Sequence, residues 1–179
     1  MKLLKLNFIV FLIGTLLVSC VKNLDFDQVN DLTLSPVIDM PLIFFKVEET
    51  DFIINGLEIN EVSDFTRITA FENSFIKSNL VKIEVDFEIN NKFNRGFTMV
   101  FEFLDENDNI TYSFSQLAIA ANQQNFKQTE NINIATNLAV LSSKKMKITI
   151  HLLPSIIPLD PNVPASFELK SSGRLFIKT

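Results

Sequence analysis

Few side chains in this sequence are equipped for chemistry. Its 179 residues include one cysteine, Cys20, and one histidine, His151. A zinc centre built on Cys and His needs three or four such ligands, so that chemistry is excluded. His151 alternates with Ile150 and Leu152 and shares a side with Lys147 and Thr149. A Ser/His/Asp triad needs a nucleophile beside the imidazole. Nothing local marks one, no G-x-S-x-G occurs, and His151 reads as a surface or edge residue. Asp105, Asn107 and Asn109 sit at the alternate positions that supply oxygen ligands in a calcium loop. The sixth position of such a loop falls on Ile110, where Gly is needed, and the twelfth on Gln116, where Glu is needed. What remains is a looser carboxylate site, or a hairpin tip whose Asp and Asn side chains bond their own backbone. Glu84, Asp86 and Glu88 also alternate along the chain. They either line a groove suited to glycoside hydrolysis or form the wet face of a strand. No catalytic residue, no cofactor and no metal set beyond the Asp105, Asn107, Asn109 candidate is expected.

Cys20 stands apart because of what precedes it. Lys2 and Lys5 give a positive start, and Leu6 to Leu17 is an apolar run interrupted by Asn7, Gly14 and Thr15. The run falls short of the ~20 residues that a membrane helix needs. A cationic end, a short apolar run and small residues at its close are the layout of a secretory signal, here residues 1–19. The alternative is an uncleaved N-terminal helix with an incidental buried cysteine. Leu17-Val18-Ser19-Cys20 resembles the lipobox of bacterial lipoproteins, an apolar residue and two small or medium ones before Cys. The resemblance implies that a signal peptidase recognises Leu17, Val18 and Ser19, cleaves before Cys20, and leaves the Cys20 thiol alkylated by diacylglycerol. The implied partner is then a membrane, gripped through the N-terminal lipid. Each buried methylene contributes about 0.8 kcal/mol, so two chains anchor stably, and amine acylation can add a third. Next comes Val21-Lys22-Asn23-Leu24-Asp25-Phe26-Asp27. A Lys followed by acids loosely resembles the surface-export signal of Bacteroidota lipoproteins, although Asn23 and Leu24 intervene. The other reading is a plain solvated tether.

Composition narrows the partners. The formal charge is −5, and removing residues 1–19 takes away Lys2 and Lys5 and no acid, leaving −7. Nucleic acid calls for a basic stripe, so it is not an expected partner. Adsorption to anionic lipid heads is disfavoured for the same reason. With 47% hydrophobic residues the chain has enough apolar mass for a core. It holds 18 Phe, one Tyr and no Trp. The Phe excess reads as a Phe-lined groove, or as core filling in a chain from an A/T-rich genome. Sugar platforms favour Trp and Tyr, which leaves Tyr112 alone for that role.

A period of two organises the rest. In Val81-Lys82-Ile83-Glu84-Val85-Asp86-Phe87-Glu88-Ile89, apolar and charged residues alternate. A strand with one buried and one wet face produces that pattern, as in an antiparallel sheet. Phe97–Leu104 is apolar on both sides and reads as a central strand. The Asp105–Asn109 cluster then turns it into Ile110–Phe114 as a hairpin. The spacer 90–96 reads as a turn with Gly96 at positive φ. Further strands are expected over Val37–Val47, Phe52–Ile59, Phe65–Phe71, Phe126–Ile134, Met146–Leu153 and Ala165–Ile177, the last open to a break at Ser171-Ser172-Gly173. Ile134 to Ser142 carries a short helical period. Pro154, Pro158, Pro161 and Pro164 mark 154–164 as a loop, because Pro donates nothing to a ladder.

The expected fold is therefore all-β: an antiparallel, Ig-like β-sandwich of seven to nine strands with room for one short helix. The expected plan is a signal peptide over 1–19, a lipidated N-terminus and tether over 20–35, and the sandwich over 36–179. Phe26, Val29 and Leu32 are candidates for a short docking turn within the tether. Val85-Asp86-Phe87-Glu88-Ile89-Asn90-Asn91, a Phe-rich strand and the turn at Asp105 are similar to small Ig-like sandwiches of the late-embryogenesis (WHy) type. That similarity spans about 30 residues, lacks the family's Asn-Pro, and implies only the sandwich. The chain as a whole resembles uncharacterised Bacteroidota lipoproteins, which implies an envelope location with the outer membrane favoured over the inner. The expected function is non-enzymatic: a lipid-anchored sandwich presented to a protein partner, such as an outer-membrane or neighbouring envelope protein. The alternative is polysaccharide or ligand binding in a nutrient-uptake system.

Overall fold

The computed structural model describes residues 36–160 and 162–178. The signal peptide over 1–19, the motif Leu17, Val18, Ser19 and Cys20, and the tether over 20–35 lie outside the described residues. Strand β1 (Val37–Glu48) opens the described chain. It lies at one edge of a four-stranded sheet, beside β11 (Ser166–Ile177), β5 (Leu80–Asn91) and β9 (Phe126–Asn133) in that order. The second sheet runs β4 (Glu61–Arg67), β10 (Lys145–Leu152), β6 (Phe97–Leu104), β7 (Ile110–Ser113), with β8 (Leu117–Ile119) also on β6. All of these pairings are antiparallel. The all-β sandwich is thus the observed fold, with nine strands in two sheets.

The alternating sequence explains the layers. On β5, Ile83, Val85, Phe87 and Ile89 are buried while Glu84, Asp86 and Glu88 face outward, half-buried among cations. On β6, Phe97, Met99, Phe101 and Phe103 are fully buried, and the strand is central, flanked by β10 on one side and by β7 and β8 on the other. The inward faces meet through phenylalanine. Phe87 of β5 packs on Phe101 of β6 with ring centroids 4.3 Å apart, and Phe97 of β6 on Phe167 of β11 at 5.0 Å. Such pairs add about 0.5–1.5 kcal/mol each beyond the area they bury. Most described Phe side chains therefore fill the core, whereas Phe44, Phe65 and Phe75 are exposed.

Several local expectations need correction. Phe52–Ile59 is not one strand. A 3-10 helix (Glu49–Phe52) leads into a ribbon of β2 (Ile53–Ile54) and β3 (Leu57–Glu58). Between them Asn55 and Gly56 have φ of 53° and 77°, the left-handed pair that a two-residue hairpin requires. The segment 65–71 splits: β4 ends at Arg67 and a 3-10 turn covers Ala70–Glu72. The helical period at 134–142 yields two 3-10 turns, Ile134–Thr136 and Leu138–Ser142. The α-helix among the described residues is α1 (Ser74–Asn79), and the Asn73 side chain accepts from the Phe75 and Ile76 N–H groups at its start.

β11 runs unbroken through Ser171-Ser172-Gly173. Opposite it, β1 bulges between Pro41 and Phe44. Pro on an edge strand costs no ladder bond, and Ser171 Oγ compensates for the bulge by accepting from Ile43 N at 3.1 Å. A Cβ at Gly173 would meet Met40 Cε at 3.0 Å, the tip of a flexible side chain that can shift. Val81 is exposed rather than core. A register shift pairs Ile177 with Leu80 and Phe176 with Lys82, so Leu80 takes the inward position. Gly96 shows no positive φ; a Cβ there would lie 2.9 Å from the Ile119 carbonyl oxygen. Close approach, not backbone conformation, demands glycine at 96.

Candidate functional site

The loop from 153 to 165 joins β10 to β11 and sits where β1 and β5 end and β6 begins. Its prolines keep it out of the sheets, as the sequence predicts. Leu153, Ile156, Ile157 and Val163 are exposed there, Ile156 fully, at 100%. Exposed apolar side chains scattered singly are ordinary; here four fall in one short loop.

The loop is pinned rather than loose. Buried Arg95, from the 92–96 arch between β5 and β6, donates through Nε to the Leu153 carbonyl at 3.1 Å, and Nη2 donates to the same oxygen. Its Nη1 donates to Glu58 Oε1 at 2.6 Å. Glu58 Oε2 accepts the Leu159 N–H at 2.7 Å. The carboxyl of Glu58 is held below its ordinary value: burial pushes it up, but the Leu159 N–H and the Arg95 guanidinium together outweigh burial. Leu153 N donates to the Gly96 carbonyl, and Asp160 Oδ1 accepts from Asn162 N at 2.9 Å. The arch is itself fixed by Asn91, fully buried, whose side chain donates to the Arg95 and Ala120 carbonyls and accepts from Phe93 N.

Between the loop and the arch lies a groove of about 340 Å³. Its apolar wall includes Phe93, Ile157, Leu159, Val163 and Pro164, and its polar lining includes Glu49, Lys92, Asn94, Asn122 and Asp160. Glu49 is only 6% exposed. Its Oε1 is closed off from water and, among the described residues, has no hydrogen-bond donor.

The residues singled out from sequence lie elsewhere. Asp105 Oδ1 accepts from the Asn107 and Asn109 N–H groups at 2.8 and 2.9 Å, and Asn109 Nδ2 donates to Oδ2 at 3.0 Å. These bonds hold its carboxyl below the ordinary value, the Asn109 side chain contributing most. Asp108 instead pairs with Lys145 at 2.6 Å. Among the described residues no three His, Cys, Asp or Glu side chains converge as a metal set would. Of Glu84, Asp86 and Glu88, only Asp86 and Glu88 border a groove on the outer face of the first sheet. There Arg174 bridges Glu84 and Asp86 at 3.0 and 3.1 Å, Lys82 pairs with Glu84 and Lys127 with Glu88. His151 lies on an inner strand of the second sheet, half-exposed, 3.4 Å from Glu61. Tyr112 donates to Glu130 at 3.0 Å and packs on Phe114, and burial followed by that bond pushes its hydroxyl up to about 12. Arg95, Glu58 and Glu49 were not singled out from sequence. Their roles depend on partners brought together by folding, and only the proline-rich loop gave a signal.

Fold and loop together define a small antiparallel β-sandwich with one apolar, pinned end. No family model matches the chain, and no curated protein matches it. Among solved structures, a protein of Parabacteroides distasonis ATCC 8503, described as secreted, is similar over 64% of this chain and 38% of its own, with a TM-score of 0.49 and 11% identity. The structure of infectious bursal disease virus, Gx strain, covers 80% of this chain and 32% of that one, with a TM-score of 0.43 and 9% identity. A Desmodium yellow mottle tymovirus chain covers 82% of this chain and 90% of its own, with a TM-score of 0.33 and 13% identity. This chain therefore spans well under half the length of the first two.

Proposed function

We propose that the protein is a non-enzymatic, lipid-anchored protein of the cell envelope that presents the loop end of its sandwich to a protein partner. The observation that carries this reading is the exposed apolar patch at 153–163, at the opposite end from Pro36, where the described chain begins. β1 runs from Val37 to Glu48 between those two ends. At about 3.3 Å per residue its twelve residues separate the ends by about 40 Å. An anchor at Cys20 would thus join the domain through the end that carries Pro36, and the loop lies at the other end. No helix among the described residues is long and apolar enough to cross a membrane, so the N-terminal lipid motif supplies the attachment in this reading, with the outer membrane favoured.

The test is site-specific photo-crosslinking in the native envelope. A photo-reactive amino acid replacing Ile156 is expected to give a discrete adduct containing an envelope protein. The same group at Lys170, exposed on the outer face of the first sheet, is the control. Equal, diffuse labelling at both positions would overturn the reading.

One observation favours a second function, polysaccharide binding. Phe44 is 63% exposed on β1 and pairs in register with Lys170, beside the groove lined by Asp86, Glu88, Thr129 and Ser172. A ring flanking hydroxyl and carboxylate groups is a sugar-binding chemistry. A glycan array with the purified protein decides: a specific hit lost in Phe44→Ala would place ligand capture first.

A further inference from the structure

Glu49 is the one described side chain with a polar atom buried and unsatisfied. A buried carboxylate without a donor is costly unless a cation or hydrogen-bond donor reaches it. The described residues supply none. Lys92 lines the same groove but is exposed and leaves Glu49 Oε1 without a donor. Arg95 is committed to Glu58 and Leu153, and Asp160 is committed to Asn162. Glu49 thus lines a groove whose other walls include the apolar surfaces of Ile157, Val163 and Pro164.

That combination selects its occupant. A divalent metal needs several oxygen ligands, and no such set converges here among the described residues. An ammonium ion is strongly hydrated and resists withdrawal from water. A guanidinium is planar, weakly hydrated and always charged, and its methylene stem packs on apolar walls. Interface anchors are often arginines surrounded by apolar contacts that exclude water. We propose that the groove between the 153–165 loop and the 92–96 arch receives an arginine side chain of the protein partner, its guanidinium pairing with the Glu49 carboxylate. Asn94 and Asn122 at the groove supply amides for the partner's backbone. The proposal rests on the reading of this end as the partner-facing end.

The test uses the full-length lipidated protein in detergent micelles and two capped peptides, Leu-Arg-Leu and Leu-Gln-Leu, titrated calorimetrically. A charge-assisted hydrogen bond to a buried acid predicts that the arginine peptide binds about tenfold tighter or more. In Glu49→Gln that preference disappears, and the unliganded variant melts at the same temperature or higher, since an unpartnered buried charge has been removed. Absence of binding, equal affinity for the two peptides, or a preference that survives Glu49→Gln overturns the proposal. So does a lower melting temperature in Glu49→Gln, which would show the carboxylate already partnered. A crosslink at position 156 without arginine preference would remove the guanidinium site and keep the partner-facing end. Arginine preference without a crosslink would do the reverse.

Discussion

Arg95 shows what one residue does here and why sequence alone does not display it. Its partners Glu58 and Leu153 lie 37 and 58 positions away in the chain. No periodicity reports such a contact, and an isolated Arg after Asn94 reads as part of a solvated turn. Glu49 is equally silent, one acid among several following β1. Gly96, next to Arg95 in the arch, carried a visible signal that pointed to the wrong cause. Glycine there suggests positive φ, whereas the structure needs the space that a Cβ would fill, 2.9 Å from the Ile119 oxygen and 3.0 Å from Leu153 Cδ1. The leucine tip can shift; the backbone oxygen, held in the β6–β8 pairing, cannot shift easily. Gly96→Ala is therefore expected to destabilise the domain by about 1–3 kcal/mol. A lowered urea midpoint with an unchanged slope checks it, and an unchanged midpoint would contradict the packing argument.

At the scale of elements, the strands with strict alternation were legible because one wet and one dry face write themselves into every second residue. β5 and β10 follow that rule, β6 was legible as a run apolar on both sides, and the expected bounds of these strands and of β9 differ from the observed ones by a few residues at most. The exceptions were places where apolar content misled. Phe52–Ile59 looks strand-like by composition, yet Asn55-Gly56 in its middle is a hairpin signal that overrides it. Ile134–Ser142 has helical spacing, but Asn137 in its middle leaves the helical region with φ −136° and ψ 52°, and two short 3-10 turns result. The 153–165 loop was legible as a loop, while its fastening was not. That fastening has a pH signature. Glu58 sits below its ordinary value of 4.5 in the folded protein. Its contribution is thus fully present above the unfolded value and lost as pH falls through the lower folded value. Hydrogen exchange of the Leu159 amide, corrected for intrinsic rate, is expected to stay slow from pH 7 to about 5 and to accelerate at lower pH. In Glu58→Gln it should already be faster at pH 7. Equal protection of Leu159 in both proteins at pH 7 would show that Glu58 does not hold the loop.

For the whole molecule, the sandwich and its patterned faces followed from sequence, but the assignment of ends did not. Only pairing register shows that Pro36 and the 153–165 loop occupy opposite ends. The attachment proposed at Cys20 makes a direct prediction. Cys20→Ser should shift the protein from the detergent phase to the aqueous phase in Triton X-114 partition, and native protein should carry acyl mass on a chain beginning at residue 20. A native protein with residue 1 intact and no acyl mass would rule the anchor out. Opposite ends also have a mechanical consequence. β1 leaves toward the tether at Val37, and β11 leaves toward the loop at Ser166, and the two strands run antiparallel along each other. Tension between a held tether and a held loop would slide this pair lengthwise instead of peeling it from one end. The interstrand bonds would then share the load together, so the domain should resist stretching between those two points far better than pulling across the strands.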